Sequence, residues 1–103
     1  MYTVVTRFRV ASGRAEEYME LLESEVRDFI SRMPGYRGSQ LYRYQGDTYR
    51  FMHIVLWDDR ENSYAMARDK AFAAKRAGMQ GLMSDLTLEC YDQVADDAPA
   101  RPA

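Results

Sequence analysis

Cysteine, histidine and tryptophan each occur once in these 103 residues, and proline only three times. One Cys and one His cannot assemble a zinc site of Cys and His ligands, and a lone Cys leaves no intrachain disulfide. A Cys–His nucleophile is disfavoured on the same count, and metal chemistry is nearly excluded before any motif is read. Excess positive charge is also missing. Lys and Arg total 14 against 16 acidic residues, a net charge of −2, which argues against nucleic-acid or membrane association driven by bulk charge. No apolar run approaches the roughly eighteen residues that span a bilayer. Met1 to Val10 carries Arg7 and Arg9 within an alternating pattern and is not read as an export signal. With Cys90 unpaired, the expectation is a cytoplasmic protein.

What is present is globular: 47% of the residues are hydrophobic and 29% charged, too apolar for a disordered chain, and the length suits one domain. The stretch 96–103 has two prolines and no large apolar residue. It is expected to be a disordered tail on a folded unit of residues 1–95.

Tyr2 to Val10 is rich in β-branched and aromatic residues, with Tyr2, Val4, Thr6, Phe8 and Val10 on its more apolar face, the pattern of a strand. Ser12 and Gly13 end it and can cap a helix. From Arg14 to Met33 the apolar residues fall at helical spacing, Tyr18, Leu21, Leu22, Val26, Phe29 and Ile30 among them, until Pro34-Gly35 stops the pattern. A second strand is expected over about 36–44, a turn at Gln45-Gly46-Asp47, and a third strand from Thr48 to Trp57. Asp58 or Asp59 can cap a second helix from near Arg60, broken around Arg68-Asp69 and loosened at Gly78 and Gly81. A last strand is expected over Leu86 to Val94. The order β-α-β-β-α-β specifies an α+β, ferredoxin-like fold with a four-stranded antiparallel sheet and helices on one face.

The third strand is apolar on both faces: Tyr49, Phe51, His53, Val55 and Trp57 on one, Met52, Ile54 and Leu56 on the other. Helices cover only one face of such a sheet, and a wet second face should alternate apolar with polar. A second covering layer is needed, and a second copy of the same sheet supplies it. The expectation is a homodimer; the alternative is a central strand well buried in a monomer.

In this order of elements, four stretches carry a family resemblance. They are Ser12-Gly13-Arg14-Ala15-Glu16-Glu17-Tyr18 after the opening strand, Met33-Pro34-Gly35-Tyr36 at the close of the first helix, Gln40-Leu41-Tyr42-Arg43 in the hairpin, and Leu56-Trp57-Asp58-Asp59 ending strand three. Together they resemble the antibiotic biosynthesis monooxygenase superfamily, whose members are dimeric α+β barrels with several chemistries. The haem-degrading branch uses an Asn, a Trp and a His where this chain has Thr6, Met66 and Arg76, so haem degradation is not implied. The branch of cofactor-independent oxygenases acting on anthrone-type aromatic polyketides is more similar. Trp57 matches its strand-three Trp, and His53 stands where it has an Asn on the same face. Its helical Tyr falls at Ser63, beside Tyr64, and its helical Arg at Ala77, beside Arg76.

Independently of the resemblance, a spacing of four along a strand puts His53 and Trp57 on one face, about 13 Å apart along the chain. His53 in an apolar strand is a candidate general base; its bland alternative is a buried ring bonded to a backbone carbonyl or a tyrosine. Trp57 is a candidate cavity wall for a flat substrate, against plain core packing. Tyr49, Phe51 and Tyr64 are further wall candidates. Arg76 could stabilise a developing oxyanion, or simply be a solvated helix residue. Cys90 is expected to be a small buried hydrophobe.

Three function classes stay open. The resemblance implies a cofactor-free monooxygenase, with O2 as co-substrate and a small aromatic substrate. A polyketide cyclase or isomerase could use the same cavity and base. A non-catalytic member of the superfamily would need neither. An RNA-recognition module shares the element order, but strand three reads Tyr49-Arg50-Phe51-Met52-His53-Ile54-Val55-Leu56 and lacks the required aromatic motif. No phosphate-cradling Gly-rich loop is visible.

Overall fold

The structure, a computed structural model, describes residues 1–97; positions 98–103 of the expected tail lie outside them. Strand β1 is Tyr2–Val10. A turn closed by the Arg14 N–H on the Ala11 carbonyl, at 3.0 Å, leads into a helix. It is α-helical over Ala15–Leu21 (α1), widens to a π-type turn over Leu22–Arg27, and is α-helical again over Asp28–Ile30 (α2). The expected cap at Ser12 and Gly13 does not form; Arg14 holds the N-cap position and makes no side-chain capping bond. The helix also stops at Ile30 rather than Met33. A residue before proline is pushed out of the helical region, and the chain tightens first: the Met33 N–H bonds back to the Ile30 carbonyl at 3.1 Å.

Strands β2 (Tyr36–Arg43) and β3 (Arg50–Trp57) form the hairpin. Strand β3 begins two residues after Thr48 because the Asp47 carboxylate accepts the Tyr49 N–H at 2.9 Å, keeping that segment in the turn. Helix α3 (Arg60–Arg68) opens on a capping box in which Asp59 and Asn62 exchange bonds of 3.2 Å. The expected break is found at Asp69. Its extended backbone ends α3, and its carboxylate accepts the N–H groups of Ala71 and Phe72 to start α4 (Lys70–Gln80). Gly78 stays helical. Strand β4 (Met83–Asp92) completes the ferredoxin-like α+β order.

The four strands lie in the order β2-β3-β1-β4, every pair antiparallel. Register fixes the faces. Tyr2, Val4, Thr6 and Phe8 stand opposite Trp57, Val55, His53 and Phe51, and that face packs against the helices. Phe8 sits between Tyr18 and Phe51, with ring centroids 5.1 and 6.0 Å away. Trp57, Tyr18 and Ile30 are the most completely enclosed large side chains. Burial of each such group contributes about 1.5–3 kcal/mol. The opposite face carries Val5, Met52, Ile54 and Leu56, and there the only ion pair across β1 and β4 among the described residues is Arg7–Glu89.

Cys90 departs from expectation: it is exposed, not buried. Strand β4 is the sheet edge, so nothing beyond it shields that side, and its residues from Ser84 onward are exposed.

One glycine is dictated by the fold. Gly35 has a φ of +81° and its carbonyl accepts the Asp58 N–H at 2.8 Å. A Cβ there would collide with the Asn62 side chain of the capping box. Gly35→Ala should therefore lower stability by more than about 1 kcal/mol in urea unfolding. An unchanged midpoint would show that the contact relaxes freely.

Candidate functional site

The inner sheet face is a grid with β1 as its middle column. One row reads Trp57–Tyr2–Asp92, the next Val55–Val4–Cys90, the next His53–Thr6–Leu88. Between this grid and the helices lies a cavity of about 320 Å³, near the lower end of the range of small-molecule sites. Val4, Thr6 and Val55 form its floor, and Tyr18, Leu22 and Met66 belong to the helices that roof it. Leu86, Leu88 and Cys90 on β4 form one side and stay open to water, Leu86 and Leu88 being 49% and 59% exposed. The π-type turn brings Leu22 and Val26 to the wall; such turns occur often at functional sites.

Of the residues singled out by sequence, His53, Trp57, Tyr64 and Arg76 all line this cavity. Tyr49 and Phe51 do not. Phe51 is packed in the core, with its ring 5.8 Å from that of Tyr18, and Tyr49 packs half-buried against the same cluster. Tyr64 stands edge-on to Tyr2 at 6.5 Å, and Arg76 is exposed at the mouth with its guanidinium 5.6 Å from the Phe72 ring centroid. No carboxylate among the described residues pairs with Arg76. The rest of the helical lining was missed by sequence reasoning, because Leu22, Val26 and Met79 have the spacing of ordinary core residues.

Two polar atoms in the wall are buried without a protein partner: His53 Nε2 and Trp57 Nε1. The indole N–H is a donor only, and an unmet buried donor costs about 1–3 kcal/mol. Trp57 is wholly enclosed and touches Tyr36 edge-on, with centroids 6.0 Å apart. His53 lacks the carbonyl or tyrosine bond that would make it a mere space-filler at this nitrogen. Burial, followed by the nearby charge of Arg27, lowers its pKa to about 4. The imidazole is therefore neutral throughout the physiological range. Tyr18, also in the wall, is pushed up by burial and stays protonated. Among the described residues no group of three or more His, Cys, Asp or Glu side chains is placed to hold a metal ion, and no helix is long and apolar enough to cross a membrane.

A family model described as antibiotic biosynthesis monooxygenase matches residues 1–77. Solved structures share the fold. SnoaB, a cofactor-independent oxygenase from Streptomyces nogalater, is 19% identical with a TM-score of 0.82, over 92% of this chain and 94% of its own. An asparagine-to-alanine variant of SnoaB superposes with a TM-score of 0.83 at the same identity and coverage. A conserved protein from Methanosarcina mazei is 15% identical with a TM-score of 0.77, over 87% of this chain and 89% of its own. No curated protein matches the sequence.

The depressed pKa of His53 predicts a specific acid response. Below pH 6.5 the unfolded chain takes up the His53 proton while the folded chain does not until about pH 4. Stability should fall across that window by up to about 3 kcal/mol from this group alone. Carboxylates titrate there too, so the quantity to measure is the difference between wild type and His53→Leu in urea unfolding at each pH. A difference that does not vary between pH 6.5 and 4 would show that His53 titrates normally.

Proposed function

This chain belongs to the antibiotic biosynthesis monooxygenase family, and from that premise we propose that it is a cofactor-independent monooxygenase of secondary metabolism. Its substrate is a flat, aromatic, polyketide-like molecule, an anthrone or a related phenol, seated in the cavity over Val4 and Val55. The supporting observation is the pair of unpartnered polar atoms, His53 Nε2 and Trp57 Nε1, set in an otherwise apolar wall. A substrate carbonyl satisfies the indole N–H once the side chains that enclose it shift aside, and an acidic C–H or O–H presented to the imidazole satisfies His53.

The reaction balances with O2 alone. A ring CH2 becomes a carbonyl, one oxygen atom of O2 entering the product and the other leaving as water with the two hydrogens. No external reductant is required. His53 takes the first proton, which makes the substrate an electron-rich carbanion or phenolate able to react with O2. A free-protein pKa near 4 marks a weak base. The anion forming beside it in a dry cavity raises its proton affinity, because the ion pair gains where both isolated charges lose. Trp57 and the Arg76 guanidinium meet the developing oxyanion, and Tyr64 borders the substrate plane. Phe51 supports the wall from behind, and Tyr49 has no contact role in this reading.

The working unit in this reading is a homodimer built on the outer sheet face, where Met52, Ile54 and Leu56 of β3 leave partly exposed apolar surface. The protein acts in the cytoplasm, where an unpaired Cys90 stays reduced.

With dithranol as substrate and no added reductant, wild type should consume O2 as product forms. His53→Ala should lose about 100-fold in rate, and Trp57→Phe about tenfold or more through the lost indole N–H. Conversion without oxygen uptake would make the protein a cyclase or isomerase. No conversion of any anthrone by wild type would overturn the oxygenase reading, and an unimpaired His53→Ala would overturn the role of the imidazole. In sedimentation at micromolar concentration the expected species is a dimer; a monomer there removes the dimer from the proposal.

A further inference from the structure

Cys90 has no part in the chemistry above, yet its position in the grid is unusual. It stands beside Val4 in the row between the one that carries Trp57 and the one that carries His53. Two strand spacings across and two residues along put its Cα roughly 12 Å from those of both Trp57 and His53. It lines the cavity, and it is exposed because β4 is the open side. A flat molecule seated over Val4 and Val55, with a carbonyl oxygen toward Trp57 Nε1, has its far edge on the β4 side of the cavity, where Cys90 lies. The independent sign that such a molecule belongs there is Trp57 itself, fully enclosed, in the cavity wall, with its donor unmet.

We propose that Cys90 is a ligand-directed covalent capture site, at which a quinone or similar α,β-unsaturated carbonyl compound bound in the cavity is trapped as a thioether. The sulfur adds to a ring C=C carbon, forming a C–S bond. The π pair moves through the ring to the conjugated carbonyl oxygen, which takes up the proton that the thiol gives up. Tautomerisation leaves a hydroquinone thioether. Nothing departs, and no outside oxidant or reductant enters.

The surroundings suit this step. Tyr2 lies one row along from Cys90 on the same sheet face, and the neighbouring thiol, with burial, holds its phenol protonated well above the ordinary range. It is in place to donate to the sulfur as the thiol proton leaves. The indole N–H donor faces the carbonyl that gains charge. Held this way, a quinone meets the thiol at an effective concentration no free thiol in solution experiences. Capture needs only the cavity and is independent of the oxygen chemistry. Where the oxygenase reading also holds, quinone products that keep an unsubstituted ring C=C inactivate the enzyme in step with turnover.

The experiment uses the reduced full chain and 1,4-naphthoquinone, followed by intact-protein mass spectrometry and peptide mapping. The expected result is a single adduct on Cys90, absent in Cys90→Ser, forming about tenfold or more faster than on the urea-unfolded chain. The rate should saturate with quinone concentration. It should fall when 9-fluorenone, a flat ketone with no C=C open to addition, competes for the cavity. Trp57→Phe, checked for folding by circular dichroism, should slow it, and Ala67→Phe, which fills the cavity wall from α3, should do the same. A native rate no faster than that of the unfolded chain, or a rate linear in quinone and indifferent to 9-fluorenone, would show an ordinary exposed thiol and overturn the proposal. Oxygen uptake plays no part in this readout, so failure of the oxygenase reading leaves its outcome interpretable.

Discussion

The antiparallel register of β1 against β3 is the constraint on which the other features hang. Side chains alternate along a strand with period two, so sliding β3 by one residue would turn His53, Val55 and Trp57 outward and bring Met52, Ile54 and Leu56 in. The register is held at its ends by groups that tolerate little else. Phe8 and Phe51 stack beneath Tyr18 at one end. At the other, Trp57 is enclosed by Tyr36 and the start of α3 follows at once. The cavity floor, the two unmet polar atoms and the apolar outer face all follow from that single alignment.

The same alignment explains how much could be read without coordinates. The shared face of His53 and Trp57 follows from counting by twos, and the element order from hydrophobic periodicity with Pro34-Gly35 and Asp69 as punctuation. Some local chemistry was legible: the Asp59 cap needs only residues that are neighbours in sequence, whereas the cap expected at Ser12 and Gly13 did not form. What escaped depends on strand order. Nothing in Leu86, Leu88 and Cys90 distinguishes an edge strand from a central one, so the thiol was expected inside. The widened turn at Leu22–Arg27 left no mark either, because its apolar residues keep a spacing that an α-helix also satisfies.

Tyr49 and Phe51 make the complementary point. They share the parity of His53, and parity alone makes them candidates for the wall. Whether an inward residue meets the cavity or the core is decided by what the helices place above it, and above Phe51 that is Tyr18. His53 lies two residues along the same strand, lines the cavity and keeps its Nε2 without a partner. A difference of two positions separates a ring packed in the core from one that lines the cavity.

The uneven enclosure of the cavity has an evolutionary consequence. Its floor belongs to β1 and β3, where Val4 and Val55 are tied to the core, and changes there disturb the whole domain. Its β4 side is made of side chains that water already reaches, so replacing Leu86 or Leu88 alters the shape offered to a ligand with little loss of packing. The shape of the cavity can thus drift along one rim while the scaffold stays intact. Lineages built on this plan are free to diversify in what they accept without first acquiring surplus stability.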